Sequence, residues 1–83
     1  MSQTVISFAR VPGQIFMNRC YVDCGGRQYL CRQGESVALC LDKPAQAVIR
    51  MQNCFGRVTA VLEPGQSYRV SVNLLGRVRL AQA

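Results

Sequence analysis

The 83-residue chain has no histidine and no tryptophan, and its only acidic residues are Asp23, Glu35, Asp42 and Glu63. Each shortage excludes a class of chemistry. Without imidazole, a cysteine nucleophile lacks its usual base, and a zinc site would have to be built from cysteines alone. The four carboxylates are scattered, each in or beside a turn, so no convergent acid–base pair is in prospect. Gly25-Gly26 is too short to cradle a phosphate and simply joins two segments. The chain therefore reads as a non-enzyme, with no cofactor and no metal. No apolar run approaches the ~18 residues that cross a bilayer. The N-terminal stretch MSQTVISFARVPG lacks the basic start, apolar core and small-residue cleavage site of an export signal, and a cytoplasmic protein is expected.

Hydrophobic residues make up 49% of the chain, too many for a disordered segment. The length suits one small domain, residues 1–83, with room for a single core and a shallow groove but not a deep enclosed pocket. The net charge is +6, and nine of the ten basic residues are arginine. That balance favours anionic partners through long-range attraction, or else it solubilises strand faces. Five cysteines, Cys20, Cys24, Cys31, Cys40 and Cys54, make the chain cysteine-rich, but the odd count and the lack of any C-x-x-C argue against a disulfide framework. They read as small buried hydrophobes, with a cysteine-only zinc site as the alternative.

The dominant period is two. Turn signals recur roughly every eight to twelve residues, the spacing of an all-β sandwich or barrel. Strands are expected near Thr4–Arg10, Ile15–Cys24, Arg27–Arg32, Glu35–Leu41, Ala47–Gln52, Arg57–Leu62, Ser67–Leu74 and Arg77–Ala81. Gln33-Gly34 reads as a two-residue hairpin loop setting Arg32 against Glu35, Leu30 against Val37 and Gln28 against Leu39. A three-residue loop around Gly76 sets Leu74 against Val78 and Val72 against Leu80. A shorter loop there would mix core with solvent residues.

The segment LEPGQSYRVSV, Leu62 to Val72, is the most specific. Pro64-Gly65 fits a type II turn, and Tyr68, Val70, Val72 and Leu74 then point inward while Ser67, Arg69, Ser71 and Asn73 point out. A tyrosine in that place can bury its ring and return its hydroxyl to the turn backbone as the chain crosses between sheets. The segment resembles the corresponding corner of fibronectin type III and related bacterial sandwich modules. Upstream, CYVDCGGRQYL followed by GESVALCL resembles small bacterial modules opening with a Tyr-Val-Asp-Gly hairpin, except that Cys24 replaces the glycine. Fibronectin domains also carry a core tryptophan that this chain lacks. The resemblance implies an immunoglobulin-like, two-sheet antiparallel sandwich of seven or eight strands, with a small closed barrel as the alternative. It implies no functional residue.

Two surfaces stand out. On the third and fourth strands both faces are apolar. With Leu30, Val37, Leu39 and Leu41 assigned to the core, the face of Tyr29, Cys31, Ala38 and Cys40 is left over as a candidate interface. Arg69, Arg77 and Arg79 project from the last hairpin, with Arg57 beside them if those strands pair, as a candidate anion-binding or nucleic-acid-binding face. No aromatic lies outward there to stack a base. The leading expectation is a non-catalytic interaction or structural module working through an apolar strand face or a sheet edge, its partner a protein or a second copy of the chain. Nucleic-acid binding by the arginines is the alternative.

Overall fold

The computed structural model describes residues 2–10, 19–52, 57–72 and 77–83. They form eight strands: β1 (Ser2–Phe8), β2 (Arg19–Cys24), β3 (Arg27–Arg32), β4 (Ser36–Leu41), β5 (Ala45–Met51), β6 (Arg57–Leu62), β7 (Ser67–Val72) and β8 (Val78–Gln82). One sheet has the order β4-β1-β7-β8 and the other β3-β2-β5-β6. The molecule is thus a two-sheet sandwich and not a closed barrel. The expected strand at Ile15 is seen from Arg19 onward, and its first residues lie outside the described ones, as do Asn73 and Leu74.

Alternation drives the packing. Ile6, Phe8, Leu39 and Val70 of one sheet meet Cys20, Val22, Ile49 and Leu62 of the other, and each is at most 1% exposed. Burying an aliphatic or aromatic side chain of this size contributes about 1.5–3 kcal/mol. Among the described residues the one buried polar side chain between these layers is Thr4, whose Oγ1 donates to the Glu63 carbonyl at 2.8 Å.

The corner between β6 and β7 forms as the sequence implies. Gly65 has φ 78°, Gln66 N–H donates to Glu63 C=O at 3.4 Å, and the chain passes from one sheet to the other. Tyr68 is 9% exposed, and its Oη accepts the Glu63 N–H at 2.9 Å. Both backbone groups of Glu63 are therefore held, the carbonyl by Thr4 and the amide by Tyr68. That fixes the turn against the N-terminal strand.

Three expectations are corrected. First, β1 pairs with β7 in parallel, Ile6 opposite Tyr68, although every other pairing is antiparallel. Second, Gln33-Gly34 does not close a hairpin. Glu35 N–H does donate to Arg32 C=O at 3.0 Å, but β3 and β4 belong to different sheets. The reason is in the residues. A two-residue hairpin of type I′ needs positive φ at both central positions, as Gly25 (60°) and Gly26 (79°) supply between β2 and β3. With Gln33 first and Gly34 (φ 79°) second, the sequence favours a type II turn, which splays its flanking strands. Phe8 then clasps the turn, donating to Glu35 C=O at 3.0 Å and accepting from Gly34 N–H at 2.9 Å. Third, the last hairpin pairs Val72 with Val78 and Val70 with Leu80, two residues away from the expected register. A slip of two preserves the faces, so the inward and outward assignments survive it.

Candidate interaction site: the open edge at β4

Among the described residues β3, β4, β6 and β8 are the outer strands of the two sheets. Proteins commonly guard such edges with charge or proline. β3 carries Arg27 and Arg32, β6 carries Arg57 and β8 carries Arg79. β4, with the sequence SVALCL, carries neither charge nor proline.

The bonding pattern shows which groups that edge offers. Phe8 N–H reaches Glu35 C=O, whereas Val5 and Ala9 donate to Gln66 and Val70 on the β7 side. In an antiparallel ladder direction alternates, so Val37, Leu39 and Leu41 bond toward β1. The amides and carbonyls of Ser36, Ala38 and Cys40 point to the open side.

Beside this edge the two sheets part around a groove of about 450 Å³. Tyr29 and Cys24 line it from one sheet and Leu39 and Leu41 from the other, with Asp42 and Lys43 among its charged lining residues. Tyr29, Ala38 and Cys40 of the expected interface all border it. They do so from two sheets and not from one face. Ala38 and Cys40 are exposed on the outside of β4, whereas Tyr29 is half-buried against the core from β3. Cys31 is not available at all. It is 1% exposed, and its thiol donates to the Glu35 carbonyl at 3.3 Å, while Leu30, expected inside, is 44% exposed. The inversion follows from the Gln33-Gly34 turn, since moving β3 to the other sheet reverses which of its faces meets the core.

Cys20 and Cys24 are buried like Cys31 and behave as small hydrophobes. Cys20 lies opposite Cys31 across β2 and β3, and burial, reinforced by that neighbouring thiol, pushes its pKa up to about 12. Burial also raises Cys24, and it raises Cys31 against a lowering hydrogen bond from the Phe8 backbone. Cys40 is exposed, and Cys54 lies outside the described residues. Among the described residues no three Cys, Asp or Glu side chains gather where they could hold a metal ion.

The expected arginine face divides. Arg69 and Arg79 project from the outer face of the β4-β1-β7-β8 sheet, opposite Ala81 and Ser71 respectively, and Arg77 is exposed just before β8. Arg57 sits on β6 in the other sheet, where it faces Arg50 of the neighbouring strand β5. No aromatic is found on the outer face that carries Arg69 and Arg79 among the described residues. The alternation gives Arg50 and Tyr21 no functional role and assigns Leu30 to the core, not to an exposed face. Tyr21 could be assigned an outward face from the alternation of RCYVDC, but its cross-strand neighbour Arg50 is distant in sequence, and only the β2–β5 pairing brings them together.

Comparison of the chain with family models, curated proteins and solved structures finds no match.

Proposed function

We propose that this is an immunoglobulin-like sandwich serving as a non-catalytic interaction module, and that its β4 edge receives an extended strand from a second copy of the chain. The tyrosine corner at Glu63–Tyr68 supports the immunoglobulin-like assignment. The uncharged edge of β4 carries the functional reading. A strand added there would bond to Ser36, Ala38 and Cys40, and its inward side chains would lie over the groove beside Tyr29. The partner strand must itself be extended, neutral and small on its outer face. β4 meets that description, and antiparallel pairing of one edge with itself gives a closed two-fold dimer. The free thiols Cys20, Cys24, Cys31 and Cys40 suit a reducing, cytoplasmic setting.

Light scattering over a range of concentrations tests this. The wild-type chain is expected to dimerise. Ala38→Pro removes only an outward donor, so it should give a folded monomer, and Ala38→Lys should do the same by placing charge on the edge. Leu39→Pro breaks the ladder to β1 and should unfold the chain. A wild-type protein that stays monomeric, or an Ala38→Pro variant that still dimerises, would defeat the reading.

A further inference from the structure

The outer face of the β3-β2-β5-β6 sheet is built differently from the rest of the surface. Its outward positions fall into rows defined by the strand registers. One row is Leu30, Tyr21, Arg50 and Arg57, each opposite the next across neighbouring strands. The adjacent row on the same face contains Arg32 opposite Arg19. Two arginine pairs, Arg19/Arg32 and Arg50/Arg57, therefore stand directly across from each other. Like charges so placed destabilise a sheet, and nothing in the packing of the core requires them.

Their compensation within the molecule is slight. Asp23 is the one carboxylate among the described outward residues of this sheet, and its Oδ2 lies 3.3 Å from Arg50 Nε. Its Oδ1 also accepts from Gln28 Nε2 at 3.1 Å. The Arg50–Asp23 pair is solvent-exposed and screened, so it does little to offset the remaining cations. At the centre, the Arg50 guanidinium sits over the Tyr21 ring with its Cζ 5.8 Å from the centroid. Tyr21 is half-buried there, and Leu30, 44% exposed, extends the apolar patch to the β3 edge.

An aromatic ring flanked by an exposed leucine and four arginines is two surfaces in one. The ring and leucine offer a face on which a planar group can stack. The arginines offer positive charge on both sides of it. Adjacent strands are ~4.8 Å apart and successive same-face rows ~6.7 Å, so the arginines surround the ring within the span of a few nucleotides. We propose that this sheet face binds single-stranded nucleic acid, with a base stacked on Tyr21 and phosphates held by Arg19, Arg32, Arg50 and Arg57. Duplex DNA or RNA fits poorly, because its bases are already stacked and cannot reach the ring. With one stacking ring and no ordered set of base-edge donors, the contact is tolerant of sequence. The face is separate from the β4 edge, so binding does not depend on the dimer proposed above.

Fluorescence anisotropy with a labelled single-stranded ten-nucleotide oligomer provides the test, at salt concentrations from low to physiological. Four phosphate contacts predict a slope of log affinity against log salt of about −3. Arg19→Gln or Arg57→Gln should weaken binding and reduce the magnitude of the slope by about 0.7 each. Tyr21→Ala should cost about tenfold or more in affinity at any salt while leaving the slope unchanged, and Tyr21→Phe should bind like wild type. The Arg69→Gln/Arg79→Gln double variant on the opposite sheet should bind like wild type. Circular dichroism checks that each variant is folded, and Arg57→Gln should melt no lower than wild type because it relieves a like-charge pair. The proposal is overturned by no binding at low salt, by duplex or an acidic polypeptide binding as tightly as the single strand, or by loss of binding in the Arg69/Arg79 variant alone. A folded Tyr21→Ala protein with undiminished affinity overturns the stacking role. Should that variant not fold, a Tyr21→Phe protein that fails to bind overturns it instead.

Discussion

Replacing Tyr68 by Phe removes one oxygen and keeps the ring, so it isolates the corner hydrogen bond. In the native corner Tyr68 Oη accepts the Glu63 amide at 2.9 Å, in partly buried surroundings. The net value of such a bond is about 0.5–1.5 kcal/mol, and stranding a partly buried amide adds to the loss, so Tyr68→Phe should cost about 1–2 kcal/mol. In a domain of this size that corresponds to a fall of about 5–10 °C in Tm. Urea denaturation should show a lower midpoint with an unchanged m-value, because the unfolded chain exposes the same surface. Tyr68→Ala also empties the space behind the turn and should cost about 3–5 kcal/mol, a large part of the total for a small domain. Thr4→Val removes the bond to the Glu63 carbonyl on the same residue. The two losses should therefore be non-additive by about 0.5 kcal/mol or more in a double-mutant cycle. A Tyr68→Phe variant within about 0.3 kcal/mol of wild type, with no coupling to Thr4, would refute this account of the corner.

The cysteines give two further predictions. Cys20 keeps its proton in the folded state to about pH 12, against 9.0 ordinarily, so the unfolded chain loses that proton first as pH rises. The stabilisation is complete below pH 9 and is lost between pH 9 and about 12. Within that window stability should fall by about 1.4 kcal/mol per pH unit for this group. Cys20→Ala should be less stable at neutral pH but show a shallower alkaline decline in urea titrations, and an equally steep decline would count against the burial argument. Alkylation followed by mass spectrometry should modify Cys40 long before Cys20 or Cys31 in native buffer, since only Cys40 of the three is exposed. Early modification of Cys31 would contradict its place in the core.

Where local chemistry decides the outcome, the sequence was legible. Pro64, Gly65 and Tyr68 specify the corner by turn geometry and spacing, and the burial of Tyr68 and Val70 follows from alternation. β3 and β6 have the bounds that their flanking turn residues suggest. What escaped was partner choice. The cue that the strands around Gln33-Gly34 part is slight, a glycine at the second central position and not at both, and that one connection exchanged Leu30 for Cys31 in the core. The parallel β1–β7 pairing and the β2–β5 pairing join residues far apart in the chain, so no window of sequence reveals them. Half of the expected interface, Ala38 and Cys40, lies outward on an edge strand because β4 kept its assigned faces. The arginine platform around Tyr21 could not be assembled before the β3-β2-β5-β6 order was known.

Amide hydrogen exchange across β4, measured at low and at high protein concentration, addresses the docking edge most directly. Val37, Leu39 and Leu41, bonded toward β1, should be protected at both concentrations. The Ser36, Ala38 and Cys40 amides should exchange fast in dilute solution and become protected as the chain self-associates. If those three stay fast in a dimer, the subunits meet elsewhere and β4 is not the docking strand. If they are already slow in dilute monomer, the edge is not open.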